Sequence, residues 1–394
     1  MRTWGVAFSA ASAWLLAGSA FAQPDGAGAE GAGADRAEVA ADGGGGEVSP
    51  DEAGPGEGGV GGSRWAERES AESISGFVEM TPGMDEAIAS GLEALSRQQR
   101  EDGSFGGQRY GSNAGITALA CLAFMSDGST PDRGPWSEPI RRGLEFILEN
   151  VNETGLIAAE TSHGPMYGHG FAALFLGEVY GMTLGGPDAG QAERVHDALV
   201  RSVRLIVQTQ NDEGGWRYNP VPHDADISVT ICQIMALRAA RNAGIEVPKE
   251  TIDRAVEYVR ACQNPDGGFS YQLTGGGSAW PRSAAGVASL FYAGIYDDDA
   301  IDEGLAYLNR AALPGRTNAV SHYYYYGHYY AAQTMYLAGG EWWTTWWPAI
   351  RDELLEKQAP SGLWVDSSPG PAYGTAMALI ILQMPKRYLP IFQK

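Results

Sequence analysis

The chain has 394 residues, with 48 acidic and 27 basic side chains, a net charge of -21 and 54 glycines. That balance excludes nucleic-acid binding, because no basic stripe exists to neutralise phosphates. Three cysteines are too few, and odd in number, for a disulfide framework; Cys121, Cys232 and Cys262 each lie in an apolar stretch and are expected to be small buried hydrophobes, with one disulfide or a metal ligand as alternatives.

Residues 1–22 have the pattern of a cleaved export signal: Arg2, an apolar run through Trp14, Leu15 and Leu16, then Ala20-Phe21-Ala22 before Gln23. The mature protein is therefore expected to be exported, in the periplasm or outside the cell. No Cys at the cleavage point supplies a lipid anchor, and no later stretch approaches the roughly 18 apolar residues of a transmembrane segment, so a soluble protein is expected. Residues 23–73 are Gly, Ala and acidic residues with almost nothing large and apolar, which predicts a disordered acidic linker. Residues 74–394 remain for one large helical domain.

Within that domain one motif occurs four times: Gln99 to Gly103 and Phe105, Gln210 to Gly214 and Trp216, Gln263 to Gly267 and Phe269, Gln358 to Gly362 and Trp364. A repeat near fifty residues signals stacked or closed helical pairs. Before each copy lies an amphipathic pattern such as Val200, Val203, Ile206, Val207 or Ile252, Ala255, Val256, Val259, which predicts outer helices. After each copy comes a small-residue apolar segment, 115–125, 227–237, 284–292 and 375–382, which predicts inner helices. The Gly suits a left-handed helix end, the aromatic tucks back between neighbours, and the Gln amide ties exposed backbone of the next helix. Weaker copies at 146–157 and 307–315 complete six pairs, beginning near 84, 138, 193, 249, 299 and 345. Six pairs predict an all-α (α/α)6 toroid, with five pairs plus irregular structure as the alternative.

The segment Arg254-Ala-Val-Glu-Tyr258-Val259 through Gln263-Asn-Pro-Asp-Gly267-Gly-Phe269 resembles the QW repeat of squalene and oxidosqualene cyclases, found in looser form in protein prenyltransferase β subunits. The resemblance spans about 84–385 and implies the toroid of the terpenoid cyclase and prenyltransferase superfamily. It does not imply one function, since such toroids cyclise, alkylate or merely bind. Cyclases of this kind protonate an alkene with a D-x-D-D motif whose middle Asp is the acid. The corresponding stretch here is Asp224-Ala225-Asp226-Ile227, so Asp224 and Asp226 are the catalytic candidates and the third carboxylate is missing. The chain also has one toroid where triterpene cyclases have two. An ordinary helix cap by Asp226 or Ser228 is the alternative. The prenyltransferase zinc set resembles Asp, Cys two residues on, and His; Asp226 occupies the Cys position, so no metal and no cofactor is expected. The Cys-Gly-Glu-Gln thioester of complement-type toroids is absent as well.

Two inner-helix starts match closely: Tyr167-Gly168-His169 in repeat two and Tyr326-Gly327-His328 in repeat five, the two repeats in which the motif decays. Opposite placement in a six-unit ring predicts that His169 and His328 face each other across the cavity mouth. Asn113, His163, His223, Trp280, Arg282, His322, Tyr323 to Tyr326 and Tyr373 are expected nearby as a ligand-binding lining, or alternatively as groups that satisfy helix ends. Trp342, Trp343, Trp346 and Trp347 share one helical face, expected either to pack under the last outer helix or to form an interfacial patch that makes peripheral membrane contact or engages a partner. Three functions fit: an exported protein binding a lipid, peptide or glycan at the mouth without cyclase chemistry, an isoprenoid-processing enzyme using Asp224 and Asp226, or a glycan-active enzyme using two carboxylates and stacking aromatics.

Overall fold

The structure, a computed structural model, describes residues 80–393 except 108, 109, 160, 162, 163, 184–187 and 316–322. The expected leader at 1–22, the linker at 23–73, and the candidates His163 and His322 lie outside the described residues. Among the described residues there are twelve α-helices and no extended strand. They alternate as outer and inner partners: α1 (Pro82–Ser96) and α2 (Ala114–Met125), α3 (Ser137–Glu149) and α4 (Met166–Thr183), α5 (Ala189–Gln208) and α6 (Ile227–Asn242), α7 (Lys249–Ala261) and α8 (Trp280–Ala293), α9 (Asp299–Ala312) and α10 (Tyr324–Ala338), α11 (Gly340–Lys357) and α12 (Pro371–Gln383). Each inner helix packs on the next, and α12 returns to α2, so six pairs close into a ring.

Residue spacing separates the two layers. In α5 the buried residues include Val195, Ala198, Leu199, Ser202, Val203 and Ile206, a single stripe three and four residues apart. Every residue of α2 is buried, as a helix enclosed on all sides requires.

The repeated motif is a staple between successive outer helices. Each Gln Nε2 donates twice: Gln99 to Gly103 O and Pro139 O, Gln210 to Gly214 O and Thr251 O, Gln263 to Gly267 O and Ala300 O, Gln358 to Gly362 O and Ala87 O, all at 2.8–3.1 Å. The last of these joins repeat six to repeat one and seals the ring. Gly214 has φ of 98°, and a Cβ there would lie 2.2 Å from the Arg254 carbonyl oxygen, so only glycine permits the approach. The aromatics are buried, and the indoles of Trp216 and Trp364 donate to Ile206 O and Leu354 O at 2.7 Å, tying each to its own outer helix.

The end of the ring away from the inner-helix N-termini is covered by the C-terminal segment. Leu389, Ile391 and Phe392 are buried there, Ile391 N donates to Glu178 Oε2 at 3.1 Å, and Lys386 pairs with Asp127 at 2.6 Å. All three cysteines are buried and unbridged, and burial pushes the Cys232 thiol up to about 12. Trp343, Trp346 and Trp347 are buried and Trp342 half-buried, with Trp343 stacked on Trp347 at 4.9 Å. The four tryptophans are packing rather than an interfacial patch, which removes the basis for membrane contact through them. No described helix is long and apolar enough to cross a membrane.

Candidate binding site at the toroid mouth

The inner-helix N-termini meet at one end of the ring, and their caps bring polar side chains there. Asn113 caps α2 by accepting from Ile116 N at 3.0 Å. Asp226 caps α6, its Oδ1 accepting from Ser228 N and Val229 N at 2.9 Å each. It is fully buried, and its Oδ2 lies 3.5 Å from Arg217 Nε, within ion-pair range but too poorly directed for a hydrogen bond. Burial pushes the Asp226 carboxyl up to about 7, against the opposing pull of the Val229 N–H, Arg217, Tyr271 and the Ser228 N–H. Asp224 is half-exposed and takes Arg217 Nη1 at 2.7 Å. The Arg217 guanidinium lies over the rings of Tyr218 and Tyr271, 4.8 and 5.6 Å from their centroids, and those two hydroxyls hydrogen-bond to each other.

Side chains from non-neighbouring inner helices fill the ring axis. Phe171 on α4 meets Tyr329 on the opposed α10 edge-on at 6.1 Å. Tyr326 OH donates to Ser228 O at 3.4 Å and Tyr330 OH contacts Cys232 Sγ at 3.4 Å, both reaching from α10 past α8 to α6. Among the described residues, a cleft of about 50 Å³ opens between α2, α4 and the start of α12, lined by Tyr110, Asn113, Tyr167, Phe171 and Tyr373 among others. That is room for roughly a few water molecules.

The two histidines do not face one another. His169 is fully buried and its Nδ1 accepts from Ile157 N at 3.1 Å. The same bond recurs at Phe105 N to Thr117, Trp216 N to Thr230, Phe269 N to Ser283 and Trp364 N to Thr375, at 2.8–3.1 Å. His169 therefore replaces the hydroxyl that anchors each loop to its inner helix. Burial lowers it to about 4, which keeps Nδ1 free of a proton and able to accept. His328 sits among Trp280, Tyr324 and Trp346, its ring 4.7, 4.5 and 5.9 Å from theirs, and Trp346 belongs to the outer helix α11. Burial first, and then Lys357, lowers His328 to about 3. Both imidazoles thus serve the contact between layers, because the inner-helix face they occupy is the one turned toward loop and outer helix. In urea denaturation, His169→Thr is expected to be more stable than His169→Ala by about 1–3 kcal/mol, since only alanine strands the Ile157 N–H; equal midpoints would remove the anchoring role.

Of the other sequence candidates, Tyr167 and Tyr373 line the cleft, and Tyr326 spans the axis. Trp280 wedges against Gly327, where a Cβ would lie 2.2 Å from the indole. Arg282 holds its own loop, Nε donating to Phe269 O at 3.0 Å and Nη2 to Gly277 O. His223 is exposed at the rim, 3.9 Å from Asp224. Sequence reasoning missed Arg217, Tyr218, Tyr271 and Tyr110. The first three had a visible signal, since Trp216-Arg217-Tyr218 and Phe269-Ser270-Tyr271 repeat an aromatic-x-Tyr pattern at equal places. No group of three or more His, Cys, Asp or Glu side chains suited to a metal occurs among the described residues.

A family model, the prenyltransferase alpha-alpha toroid domain, matches residues 84–319. The chain belongs to that family. Among relatives of this prenyltransferase-type toroid, a drimenyl diphosphate synthase from Streptantibioticus cattleyicolor is 26% identical over 183 residues, 44% of this chain and 32% of the relative. The match thus spans about a third of that protein's length. The type II terpene cyclase MstE from Scytonema, solved as a variant with geranylgeranyl dihydroxybenzoate, superposes with a TM-score of 0.55 at 15% identity over 78% of this chain and 98% of its own. An α-1,6-mannanase from a Salegentibacter species gives 0.58 at 10% identity over 76% and 98%, and a cellobiose 2-epimerase from Bacillus thermoamylovorans gives 0.57 at 12% over 78% and 100%. At these identities the likeness is one of fold.

Proposed function

We propose that this toroid is an exported binding protein that holds a ligand at the mouth of its ring and does not cyclise polyprenyl chains. The observation that carries the reading is the filled axis: Phe171 against Tyr329, and Tyr326 and Tyr330 reaching α6, occupy the space a folded polyprenyl chain would need. Ligand pockets for such molecules run to roughly 300–1,000 Å³, whereas the cleft described between α2, α4 and α12 is about 50 Å³. The acid motif also lacks its third carboxylate, with buried Ile227 in that place. The single toroid carries no weight either way, because one toroid matches 98% of the MstE chain.

A second reading, isoprenoid processing with Asp226 as acid, is favoured by one observation. Asp226 is a buried carboxyl that titrates near neutrality beside Arg217, which stabilises its conjugate base. The two separate in one assay: the full chain is incubated with farnesyl diphosphate, geranylgeranyl diphosphate and squalene, and products are analysed by gas chromatography with mass detection. No cyclised product is expected from the wild type. A product that disappears in Asp226→Asn would replace the binding reading with the enzymatic one. Export is tested by fractionation and N-terminal sequencing, with Gln23 expected at the mature terminus and an unprocessed cytoplasmic chain counting against it.

A further inference from the structure

We propose that the segment 384–393, which covers the far end of the ring, exchanges between two copies of this chain, so that each copy closes its partner's ring. The inference does not rest on the mouth-binding reading. The anchoring contacts of the segment reach four elements other than the helix it follows. Lys386 pairs with Asp127, just beyond α2, at 2.6 Å, and Ile391 N donates to Glu178 Oε2 on α4 at 3.1 Å. Residues 390–392 pack on α6, and the Arg387 guanidinium lies 5.8 Å from the ring centroid of Tyr336 on α10. A docking surface made by other elements fits the same segment equally well when a second copy delivers it. Leu389, Ile391 and Phe392 supply the burial there, while the Lys386 pair and the Ile391 amide fix the register.

The connection that holds the segment to its own ring is short and conformationally costly. It runs from the end of α12 at Gln383 to the first buried anchor after the turn, Leu389. Within it Arg387 has φ of 57°, and among the described residues no other non-glycine has a positive φ. Side chains resist that left-handed conformation, so folding back onto the same ring carries a cost that a path to a facing copy avoids. Short hinges under strain are where segments exchange. Tethering favours the segment's own ring through effective concentration, so exchange grows with protein concentration.

Reciprocal exchange sets the two rings far end to far end about a two-fold axis and satisfies both segments, leaving none to recruit a third copy. The two mouths then point away from each other. Tyr388, 50% exposed with its ring against Gly128, stands on the face that the second copy covers.

The test uses the one ion pair between segment and ring. Lys386→Asp sets a carboxylate against Asp127, and Asp127→Lys sets an ammonium against Lys386, so each chain repels its own segment both alone and in a homodimer. In an exchanged heterodimer of the two, opposite charges meet at both ends. Native mass spectrometry of the equimolar mixture is expected to show heterodimer at least about tenfold above either homodimer. Amide exchange at Ile391 is expected to be slower in that heterodimer than in the separate chains. Asp127 also accepts from Trp136 Nε1 at 3.3 Å, so circular dichroism melting checks the fold of each chain. If either chain is not folded, isotope-labelled and unlabelled wild type, mixed at high concentration, decide by whether mixed dimers form. Monomers alone in the deciding mixture would overturn the inference. A heterodimer whose Ile391 amide exchanges as fast as in the separate chains would be a surface contact between opposite charges, and would overturn it as well. Neither result touches the mouth-binding reading, which falls on a cyclised product that needs Asp226.

Discussion

Replacing Trp364 with alanine is expected to destabilise the protein by about 3–5 kcal/mol, the usual cost of removing a fully buried indole. Trp364 is at the seam where the ring closes. Its six-membered ring packs against Gly91 of α1 so closely that a Cβ there would lie 2.6 Å from it. Its Nε1 donates to Leu354 O at 2.7 Å and its backbone N donates to Thr375 Oγ1 at 2.9 Å. Alanine would leave a cavity between the first and last repeats and strand the Leu354 carbonyl. Trp364→Phe should lose less, because Phe105 and Phe269 fill the same position in their own repeats without an indole N–H. Urea denaturation followed by circular dichroism measures both. A midpoint for Trp364→Ala equal to that of the wild type would mean that the seam contributes nothing and that the pairs stand independently.

The staple was legible in the sequence because its chemistry is local. A left-handed Gly, a Gln four residues before it and an aromatic two after it place donors and rings through the geometry of one turn, and Gln99, Gln210, Gln263 and Gln358 donate as the motif implies. The layers were legible for a related reason, since an enclosed helix such as α2 and a striped one such as α5 differ in composition. The direction of His169 was not. Ring symmetry places repeats two and five opposite one another, but an inner helix has one face toward the axis and another toward its own loop. The deciding comparison was the column formed by Thr117, Thr230, Ser283 and Thr375, whose residue types look unlike His although the accepting atom does the same task. The filled axis was hidden more deeply. Whether Phe171 reaches Tyr329 depends on the radius of the closed ring, which no segment of sequence carries alone.

The far end of the ring supplies the second large expected effect, and its sign follows from one buried acid. Glu178 is 1% exposed; burial pushes its carboxyl up from 4.5 to about 8, only partly opposed by the bond from Ile391 N, and Tyr292 and Tyr329 lie in its field. The folded state therefore keeps a proton that the unfolded chain releases near pH 4.5. Its stabilising contribution is complete below that pH, declines by at most about 1.4 kcal/mol per pH unit as the pH rises, and is gone above about 8. Glu178→Gln, neutral at every pH, should flatten this decline and raise stability at pH 8 by several kcal/mol relative to the wild type. The difference between the two chains isolates Glu178, because Asp226 shares its sign and the buried His169 and His328 oppose it equally in both. Ionisation places a carboxylate under the segment 384–393, so its loosening should come first, seen as faster amide exchange at Ile391 and Phe392 above pH 8 in the wild type alone. Parallel stability curves for the two chains between pH 5 and 8 would mean that Glu178 is solvated, and that the C-terminal segment closes the ring without help from a protonated acid.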